Sequence, residues 1–191
     1  KGICKSFSGV SVLWQVDFRV RKGEVHALMG ENGAGKSTLI KILTGVYTKD
    51  SGSIFWDGKK VAINSYKDCQ KLGMACIYQE LSVILPLTVA QNVFLGREPK
   101  RLGLIDHKRM NEMTQELIDQ YGFPLEPEAL VSNLGIGQRQ LVEILKGLSC
   151  DSRLLIMDEP TASLSGKEAE SLFSIIDTLR KKGVSVIYIS H

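Results

Sequence analysis

The fold of this chain is decided by one stretch, Gly30-Glu31-Asn32-Gly33-Ala34-Gly35-Lys36-Ser37, which fits the pattern G-x-x-x-x-G-K-[ST]. The apolar run Val25 to Met29 precedes it, and Thr38 to Leu43 follows with residues that can continue a helix. Glycines let backbone N–H groups curl around phosphate oxygens, and the N-terminus of a helix adds a favourable dipole. The sequence therefore predicts a triphosphate-binding loop between a strand and a helix.

Each side chain of this loop has an expected role. Lys36 supplies a positive charge to the β- and γ-phosphates, and the hydroxyl of Ser37 ligates Mg²⁺. The alternative is a plain strand, turn and helix without a ligand, and the flanking elements favour the phosphate-binding interpretation. The residues expected to surround the nucleotide here are Gly30, Asn32, Gly33, Ala34, Gly35, Lys36, Ser37 and Thr38.

Length and charge exclude several classes of protein. The chain has 191 residues with 24 Lys and Arg against 21 Asp and Glu, a net charge of +3 that is too small to indicate nucleic-acid binding. No apolar run approaches the roughly 18 residues that a membrane span requires. The four cysteines show no metal-ligand spacing, which favours reduced thiols. We expect one globular domain belonging to a longer chain.

Three short apolar runs indicate an α/β protein with a parallel sheet. They are residues 25–29, 153–157 and 184–189, and their nearly continuous apolar character predicts strands buried on both faces. The sequence Ser165-Gly166-Lys167-Glu168 is a capping box, which predicts that a helix begins there. Strands that alternate with helices are typical of α/β architecture.

Part of the first third of the chain is predicted to form antiparallel sheet instead. Residues 10–20 alternate, which predicts a half-buried strand with one face formed by Val10, Val12, Trp14, Val16, Phe18 and Val20. Residues 53–63 predict a hairpin, because Asp57-Gly58 is a type I′ turn pair between two strand-like runs.

The middle of the chain predicts a helical insertion. One apolar stripe at helical spacing is formed by Met110, Met113, Leu117 and Tyr121, and a second by Leu141, Ile144, Leu145 and Leu148. The methionine stripe is interpreted as core packing. We predict a single domain, residues 1–191, in which residues 1–78 and 151–191 form the nucleotide-binding core with its antiparallel part, and residues 79–150 form a helical subdomain.

Two adjacent acids, Asp158 and Glu159, follow the predicted strand 153–157. Ligands of parallel α/β sheets bind at the carboxyl ends of strands, so these acids are expected beside the phosphate-binding loop. Asp158 would face Mg²⁺, and Glu159 would orient or deprotonate the attacking water. The alternative is an acid pair at the start of a helix.

The ordered motifs resemble the nucleotide-binding domain of ATP-binding cassette (ABC) transporters over essentially all 191 residues. The resemblance depends on residues 30–38, Gln79, residues 134–138, residues 158–161 and His191. It implies a P-loop NTPase core with an antiparallel β subdomain and an inserted α-helical subdomain. Within the family the chain is most similar to the first cassette of bacterial monosaccharide importers of the ribose, galactose and xylose type.

The resemblance also implies roles for single residues. Phe7 matches the aromatic residue that stacks on adenine, with a core phenylalanine as the alternative. Gln79 matches the glutamine that reaches Mg²⁺ and the attacking water, and His191 the histidine that donates to the γ-phosphate. The implied catalytic residues are Glu159, His191, Gln79 and Lys36, and the implied metal ligands are Ser37, Gln79 and Asp158.

The segment Leu134-Gly135-Ile136-Gly137-Gln138 matches the family's signature motif, and an amphipathic helix is expected to begin at Gly137. The resemblance implies that Gly135, Gly137 and Gln138 contact the γ-phosphate bound to an opposite cassette. The usual serine is replaced by Gly135, so a hydroxyl donor is missing, and backbone donors at Gly137 remain. A second departure is Ser165, where many relatives carry an aspartate.

The function implied by the resemblance is a Mg-dependent ATPase that powers import of a small solute, a monosaccharide by this likeness, from the cytoplasmic face of the membrane. Its cofactors are ATP and Mg²⁺, and its partners are a second cassette and membrane permease subunits that contact residues 80–105; no nucleic acid is expected. The alternatives are a soluble non-transport ABC ATPase and a cassette with weak hydrolysis because of Gly135. A GTPase is disfavoured because Asn-Lys-x-Asp is absent.

Overall fold

The computed structural model of this chain describes residues 1–162 and 164–190, so His191 and its expected contact with the γ-phosphate lie outside the described residues. The strands in these ranges are β1 (Ile3–Phe7), β2 (Val10–Val16), β3 (Val25–Met29), β4 (Ile54–Trp56), β5 (Lys59–Val61), β6 (Met74–Ile77), β7 (Lys100–Arg101), β8 (Leu104–Ile105), β9 (Leu154–Asp158) and β10 (Ser185–Ser190). The α-helices are α1 (Lys36–Leu43), α2 (Tyr66–Lys71), α3 (Val89–Val93), α4 (His107–Tyr121), α5 (Ile136–Leu148) and α6 (Gly166–Lys181).

The centre of the molecule is a four-stranded parallel sheet with the strand order β3-β10-β9-β6. Leu154 to Met157 in β9 are buried, as are Ser185 to Ile187 in β10. These strands lie in the middle of the sheet and are covered on both faces, so their apolar runs are explained. The α/β class with a parallel-sheet core is confirmed.

Strand β3 differs from the prediction of burial on both faces. It lies at one end of the strand order, and its residues alternate in exposure, with Val25 at 38% and Met29 at 66%. His26 and Leu28 face the other way, and His26 contacts the ring of Phe18 edge to face at 4.8 Å between centroids. An apolar run alone does not distinguish an edge strand from a central one.

The antiparallel part is confirmed as pairs of strands beside the parallel sheet. Strand β1 pairs with β2, and β4 pairs with β5 in the register Ile54 to Val61 and Trp56 to Lys59. Asp57 and Gly58 have φ of 48° and 78°, the two positive values that a type I′ turn requires.

The strand predicted over residues 10–20 ends at Val16. Its predicted inward face is wrong before Gln15, whereas Val16, Phe18 and Val20 pack against the apolar clusters as predicted. Leu13 is 4% exposed, whereas Trp14 is 74% and Val10 is 66% exposed. The pairing of β1 with β2 shifts register twice, and Gln15 has a φ of 48°, so a bulge interrupts the simple alternation of this strand. The side chain that is buried in place of Trp14, that of Leu13, packs beside the loop before α1.

The middle of the chain is largely helical. Helices α3, α4 and α5 lie there, together with the two-residue strands β7 and β8, which pair as a small hairpin that the sequence did not indicate. The two predicted stripes pack in the largest apolar cluster: Met110 is 1% exposed, and Leu141, Ile144, Leu145 and Leu148 are buried. The division of the chain near residues 79 and 150 stays a prediction.

Alternate residues of the central strands pack into two apolar layers, one on each face of the sheet. Leu155, Met157 and Val186 pack against helices α3 to α6, while Ile156 and Ile187 pack on the other side with Ile40, Ile63 and Cys69. Replacing a buried Ile such as Ile156 by Ala would cost about 2–5 kcal/mol of folding free energy. None of the described helices combines the length and apolar content that a bilayer span needs.

Candidate functional site: the carboxyl edge of the parallel sheet

The loop between β3 and α1 has the backbone conformation that its glycines predict. Gly33 and Gly35 have φ of 83° and 88°, in the left-handed region that favours glycine. The N–H of Ala34 donates to the carbonyl of Glu31 at 3.2 Å and closes a turn. The loop is therefore a tight, mostly exposed curl that runs directly into a helix N-terminus.

Gly35 also meets the antiparallel part of the molecule at close range. A Cβ atom placed on it would lie 2.7 Å from Cδ2 of Leu13 and 3.0 Å from the carbonyl oxygen of Val12. Such distances are shorter than real Cβ contacts, so only glycine fits here without a shift of β2. Packing against β2 thus fixes the base of the loop.

Lys36 is the first residue of α1, and its side chain turns back over the loop. Nζ donates to the carbonyl oxygens of Gly30 at 2.5 Å and Glu31 at 2.9 Å. The positive charge therefore lies across the same curl whose backbone N–H groups are expected to hold phosphate. Ser37 is exposed and Thr38 half-buried in the first turn, whereas Leu39 and Ile40 anchor the helix in the core.

The parallel register brings the other predicted site residues to the same edge. Met29 pairs with Ser190, Ile189 pairs with Asp158, and Met157 pairs with Ile77. The phosphate-binding loop begins directly after β3, Asp158 is the last residue of β9 and Glu159 follows it, and Gln79 lies two residues after the end of β6. Four parallel strands thus end together, which is where ligands of α/β sheets bind.

Asp158 and Glu159 are half-buried where β9 ends. The N–H of Glu159 donates to the carbonyl of Ile189 at 3.1 Å, and Glu159 has a φ of 48°, which is uncommon outside glycine. Two residues on, the hydroxyl of Thr161 lies 2.7 Å from the hydroxyl oxygen of Tyr188 in β10. The chain leaves the strand in a defined direction because β10 holds it on both sides of Pro160.

Gln79 is exposed and follows β6 after Tyr78. Burial raises the pKa of the Cys76 thiol to about 12 and that of the Tyr78 hydroxyl to about 12. Both groups are therefore neutral near pH 7.

The segment after Gln79 is fixed by two buried polar side chains that the sequence analysis missed. Oε1 of Glu143, on α5, accepts from the N–H of Ser82 at 2.9 Å and from its hydroxyl at 2.8 Å. The side-chain amide of Asn92 accepts from the N–H of Ile84 at 2.7 Å and donates to its carbonyl at 3.0 Å. The sequence signal that could have found Asn92 and Glu143 was a polar residue on the otherwise apolar faces of α3 and α5.

Phe7 ends β1 and is 38% exposed. Its ring contacts Tyr47 edge to face at 5.2 Å between centroids, and Nζ of Lys5 lies 5.2 Å from the ring centroid. This side chain is therefore not enclosed in the core, and part of its surface is available for contact with a planar ligand.

The segment that resembles the signature motif forms the start of α5. The helix begins at Ile136, one residue before the predicted start, with Gly135 as its N-cap. Oε1 of Gln138 accepts from the N–H of Gly135 at 3.3 Å, and the N–H of Gly137 donates to Oε1 of Glu168 at 3.0 Å. Gly135 and Gln138 are exposed, and Gly137 is buried.

The oxygen donors at the sheet edge fit a magnesium ion that is shared with phosphate. Mg²⁺ prefers oxygen ligands and is usually held by one or two carboxylates together with substrate phosphates. Ser37, Gln79 and Asp158 provide a hydroxyl, an amide and one carboxylate. Among the described residues, no group of three or more His, Cys, Asp or Glu side chains could hold a metal ion alone.

This sheet, loop and strand-end acid pair define the P-loop class of nucleoside triphosphate-binding proteins. A family model described as ABC transporter matches residues 13–162. The chain therefore belongs to the ABC transporter family.

Relatives and solved structures agree with this assignment. Ribose import ATP-binding protein RbsA 2 of Streptomyces coelicolor is 52% identical to this chain, and the match covers the whole chain and 37% of the relative. RbsA of Geobacillus kaustophilus is 50% identical, and the match covers the whole chain and 39% of that relative. The chain thus spans less than two fifths of these relatives. Among solved structures, a nucleotide-free ATP-binding cassette from an ABC transporter is 25% identical, with a TM-score of 0.86. The ADP conformation of another ATP-binding cassette is 26% identical, with a TM-score of 0.87. Each match covers the whole of this chain and 79% of the cassette.

Proposed function

We propose that this chain is the ATP-binding and hydrolysing unit of an importer for a small solute, in which residues 1–78 and 151–191 form the nucleotide-binding core and residues 79–150 the helical subdomain. The observation that carries the proposal is the shared carboxyl edge, where the loop at residues 30–37, Gln79 and the acids 158–159 lie at the ends of three strands of one parallel sheet. The names of the relatives, which are ribose import proteins, support a monosaccharide as the solute and the first cassette of such a protein as the counterpart.

In this proposal each residue has one task. The N–H groups of residues 30–38 and Nζ of Lys36 bind the phosphates, and Phe7 stacks on adenine. Ser37, Gln79 and Asp158 hold Mg²⁺, which when bound neutralises charge on the β- and γ-phosphates. Glu159, assisted by Gln79 and His191, accepts the proton of the attacking water.

The proposed partners are a second cassette and membrane permease subunits. The second cassette would meet Gly135, Gly137 and Gln138, of which the first and last are exposed. The permease would contact residues 80–105, because this segment exposes a series of large apolar side chains: Ile84, Leu85, Leu95, Leu102, Leu104 and Ile105. This arrangement would hold the chain at the cytoplasmic face of the membrane.

A second candidate is a cassette that binds ATP and hydrolyses it weakly. Gly135 favours it, because the hydroxyl that would bond the γ-phosphate is missing at the exposed start of α5. A hydrogen bond to a charged group contributes about 1.5–3 kcal/mol, which is enough to change a hydrolysis rate by tenfold or more.

The proposal is tested with the full-length protein and its membrane subunits in vesicles. We expect Mg-dependent ATP hydrolysis that accompanies ribose uptake, and both are lost in Lys36→Ala because the phosphates lose their main cationic partner. Calorimetry should show weaker ATP binding by this variant. Equal affinity for ATP in the wild type and Lys36→Ala would contradict the assignment of residues 30–37. Hydrolysis without uptake of any sugar would contradict a monosaccharide as the solute.

A further inference from the structure

Glu168 in the first turn of α6 joins two helix N-termini. Its Oε2 accepts from the N–H of Ser165 at 2.9 Å and from the hydroxyl of Ser165 at 2.7 Å, which completes the capping box of α6. Its Oε1 accepts from the N–H of Gly137, in the first turn of α5, at 3.0 Å. The capping box was predicted from the sequence, but its contact with α5 was not.

Glu168 lies close against Gly137, so a larger residue at this position would displace the glutamate side chain. A Cβ atom on Gly137 would lie 2.7 Å from Oε1, 2.8 Å from Cγ and 2.9 Å from Cδ of Glu168. The same test at Gly135 gives 3.9 Å to Oε1 of Glu168 as the nearest distance. The glutamate is therefore packed against the backbone of Gly137 rather than passing near it.

This contact occupies a donor that a phosphate would need. The first N–H groups of a helix have no partner within the helix, and they bind anions for this reason. Here the N–H of Gly137 already donates to a carboxylate oxygen, and one N–H group makes one strong hydrogen bond at a time. Hydrogen bonds from Ser165 hold the pKa of Glu168 below its usual value, so the carboxylate is ionised near neutral pH.

We propose that Glu168 is a positioning residue that controls access of the opposite cassette's γ-phosphate to the N–H of Gly137. The inference depends on the proposed function, in which the start of α5 completes the partner's ATP site. A phosphate oxygen that reaches Gly137 must displace Oε1 of Glu168, and the two negative groups repel each other while it does so. Glu168 thus raises the ATP concentration at which the two cassettes close.

The experiment compares Glu168→Gln with Glu170→Gln in the full-length protein. Both changes remove one negative charge from α6, and Glu170 is exposed on the same helix. The measurement is the rate of ATP hydrolysis against MgATP concentration. We expect the KM for ATP to fall about fivefold in Glu168→Gln, because a charged competitor becomes neutral, with little change in kcat. Glu170→Gln should keep the wild-type KM.

Two further variants separate access from helix capping. Glu168→Asp keeps the charge but shortens the reach to Gly137, so its KM should fall between those of the wild type and Glu168→Gln. Ser165→Ala removes the capping hydroxyl and leaves Oε1 of Glu168 beside Gly137, so its KM should stay near the wild-type value. Because Glu168→Asp preserves the negative charge at the N-terminus of α6, it also tests the inference if Glu168→Gln fails to fold.

Several outcomes would overturn the inference. They are an unchanged or raised KM in both Glu168 variants, or an equal fall of KM in Ser165→Ala, which would assign the effect to the cap of α6. A wild-type protein that does not hydrolyse MgATP would contradict the proposed function, and the inference with it. Normal hydrolysis with an unaffected KM in the Glu168 variants would contradict the inference alone.

Discussion

Glu159 donates its backbone N–H to the carbonyl oxygen of Ile189, 3.1 Å away. This bond links the residue that follows β9 to the neighbouring strand β10, beyond the last paired position of Asp158 with Ile189. Together with the positive φ of Glu159, it fixes the backbone where the proposed general base must stand.

The first prediction is therefore that Glu159→Gln preserves the fold and the affinity for MgATP while hydrolysis is lost. General base catalysis contributes about 10²–10⁴-fold to a rate, and the amide cannot accept the proton of water. Steady-state hydrolysis and nucleotide binding by calorimetry measure the two effects separately. Turnover within a few-fold of the wild type would remove Glu159 from this role.

The second prediction concerns the missing hydroxyl of the signature segment. Gly135 has φ −65° and ψ 166°, which any residue adopts, and a Cβ atom placed on it would have its nearest neighbour 3.9 Å away. Gly135→Ser should therefore fold normally, and should raise the rate of hydrolysis about tenfold through a new hydrogen bond to the γ-phosphate.

Gly166→Ser is a matched control for Gly135→Ser, because a Cβ atom at Gly166 would meet nothing within 4 Å. Its hydrolysis rate should equal that of the wild type. A Gly135→Ser protein with unchanged hydrolysis would show that the backbone donors suffice, and would exclude the hydroxyl as the cause of weak turnover.

The third prediction compares two glycines of the phosphate-binding loop. Both Gly33 and Gly35 have left-handed φ, which costs a non-glycine residue about 1–2 kcal/mol. Only Gly35 would also collide with Leu13 and Val12. We expect Gly35→Ala to lower the free energy of unfolding by about 1–3 kcal/mol more than Gly33→Ala does.

Urea denaturation of the two alanine variants measures this difference. Equal losses of stability would mean that β2 shifts away from the loop at no cost. That result would contradict the close packing of Leu13 against Gly35.

The fourth prediction is the pH dependence of stability that Glu168 contributes. The pKa of Glu168 is lowered in the folded protein, chiefly by the hydroxyl and N–H of Ser165 and then by the N–H of Gly137. A lowered pKa stabilises the folded state above the pKa of the unfolded chain, and this stabilisation is lost as the pH falls through the folded pKa. The unfolded reference is 4.5.

Urea unfolding of the wild type and Glu168→Gln from pH 7 down to about 3 tests the direction of this pH dependence of stability. The stability of the wild type relative to the variant should be constant near pH 7 and should decrease below the unfolded pKa. A difference that grows as the pH falls would mean that the pKa of Glu168 is raised rather than lowered.

Local features of the fold could be predicted from the sequence. The loop at residues 30–37 and the turn Asp57-Gly58 depend on glycine conformations that neighbouring residues specify. The helix stripes and the apolar runs of β9 and β10 report burial directly. The place of the site followed from strand direction, because parallel strands end at one edge.

Features that depend on distant contacts could not be predicted. The inward face predicted for residues 10–20 was wrong before Gln15, because the bulge at Gln15 and the contact of Leu13 with Gly35 override the period of two. The exposed edge of β3 depends on strand order, which its composition does not encode. The bonds from Glu168 to Gly137 and from Glu143 to Ser82 connect residues 31 and 61 positions apart, and no local pattern indicates them.

The register of the parallel sheet restricts which insertions and deletions the chain can accept. It pairs Met29 with Ser190, Asp158 with Ile189 and Ile77 with Met157. A deletion of one residue within β9 would turn every later side chain of that strand to the opposite layer, exchanging the places of Ile156 and Met157. Insertions and deletions should therefore be absent from these strands in functional descendants of this chain. The fold itself would tolerate length variation in the exposed turn around Leu102, which is 97% accessible, and there only the proposed permease contact would select against it.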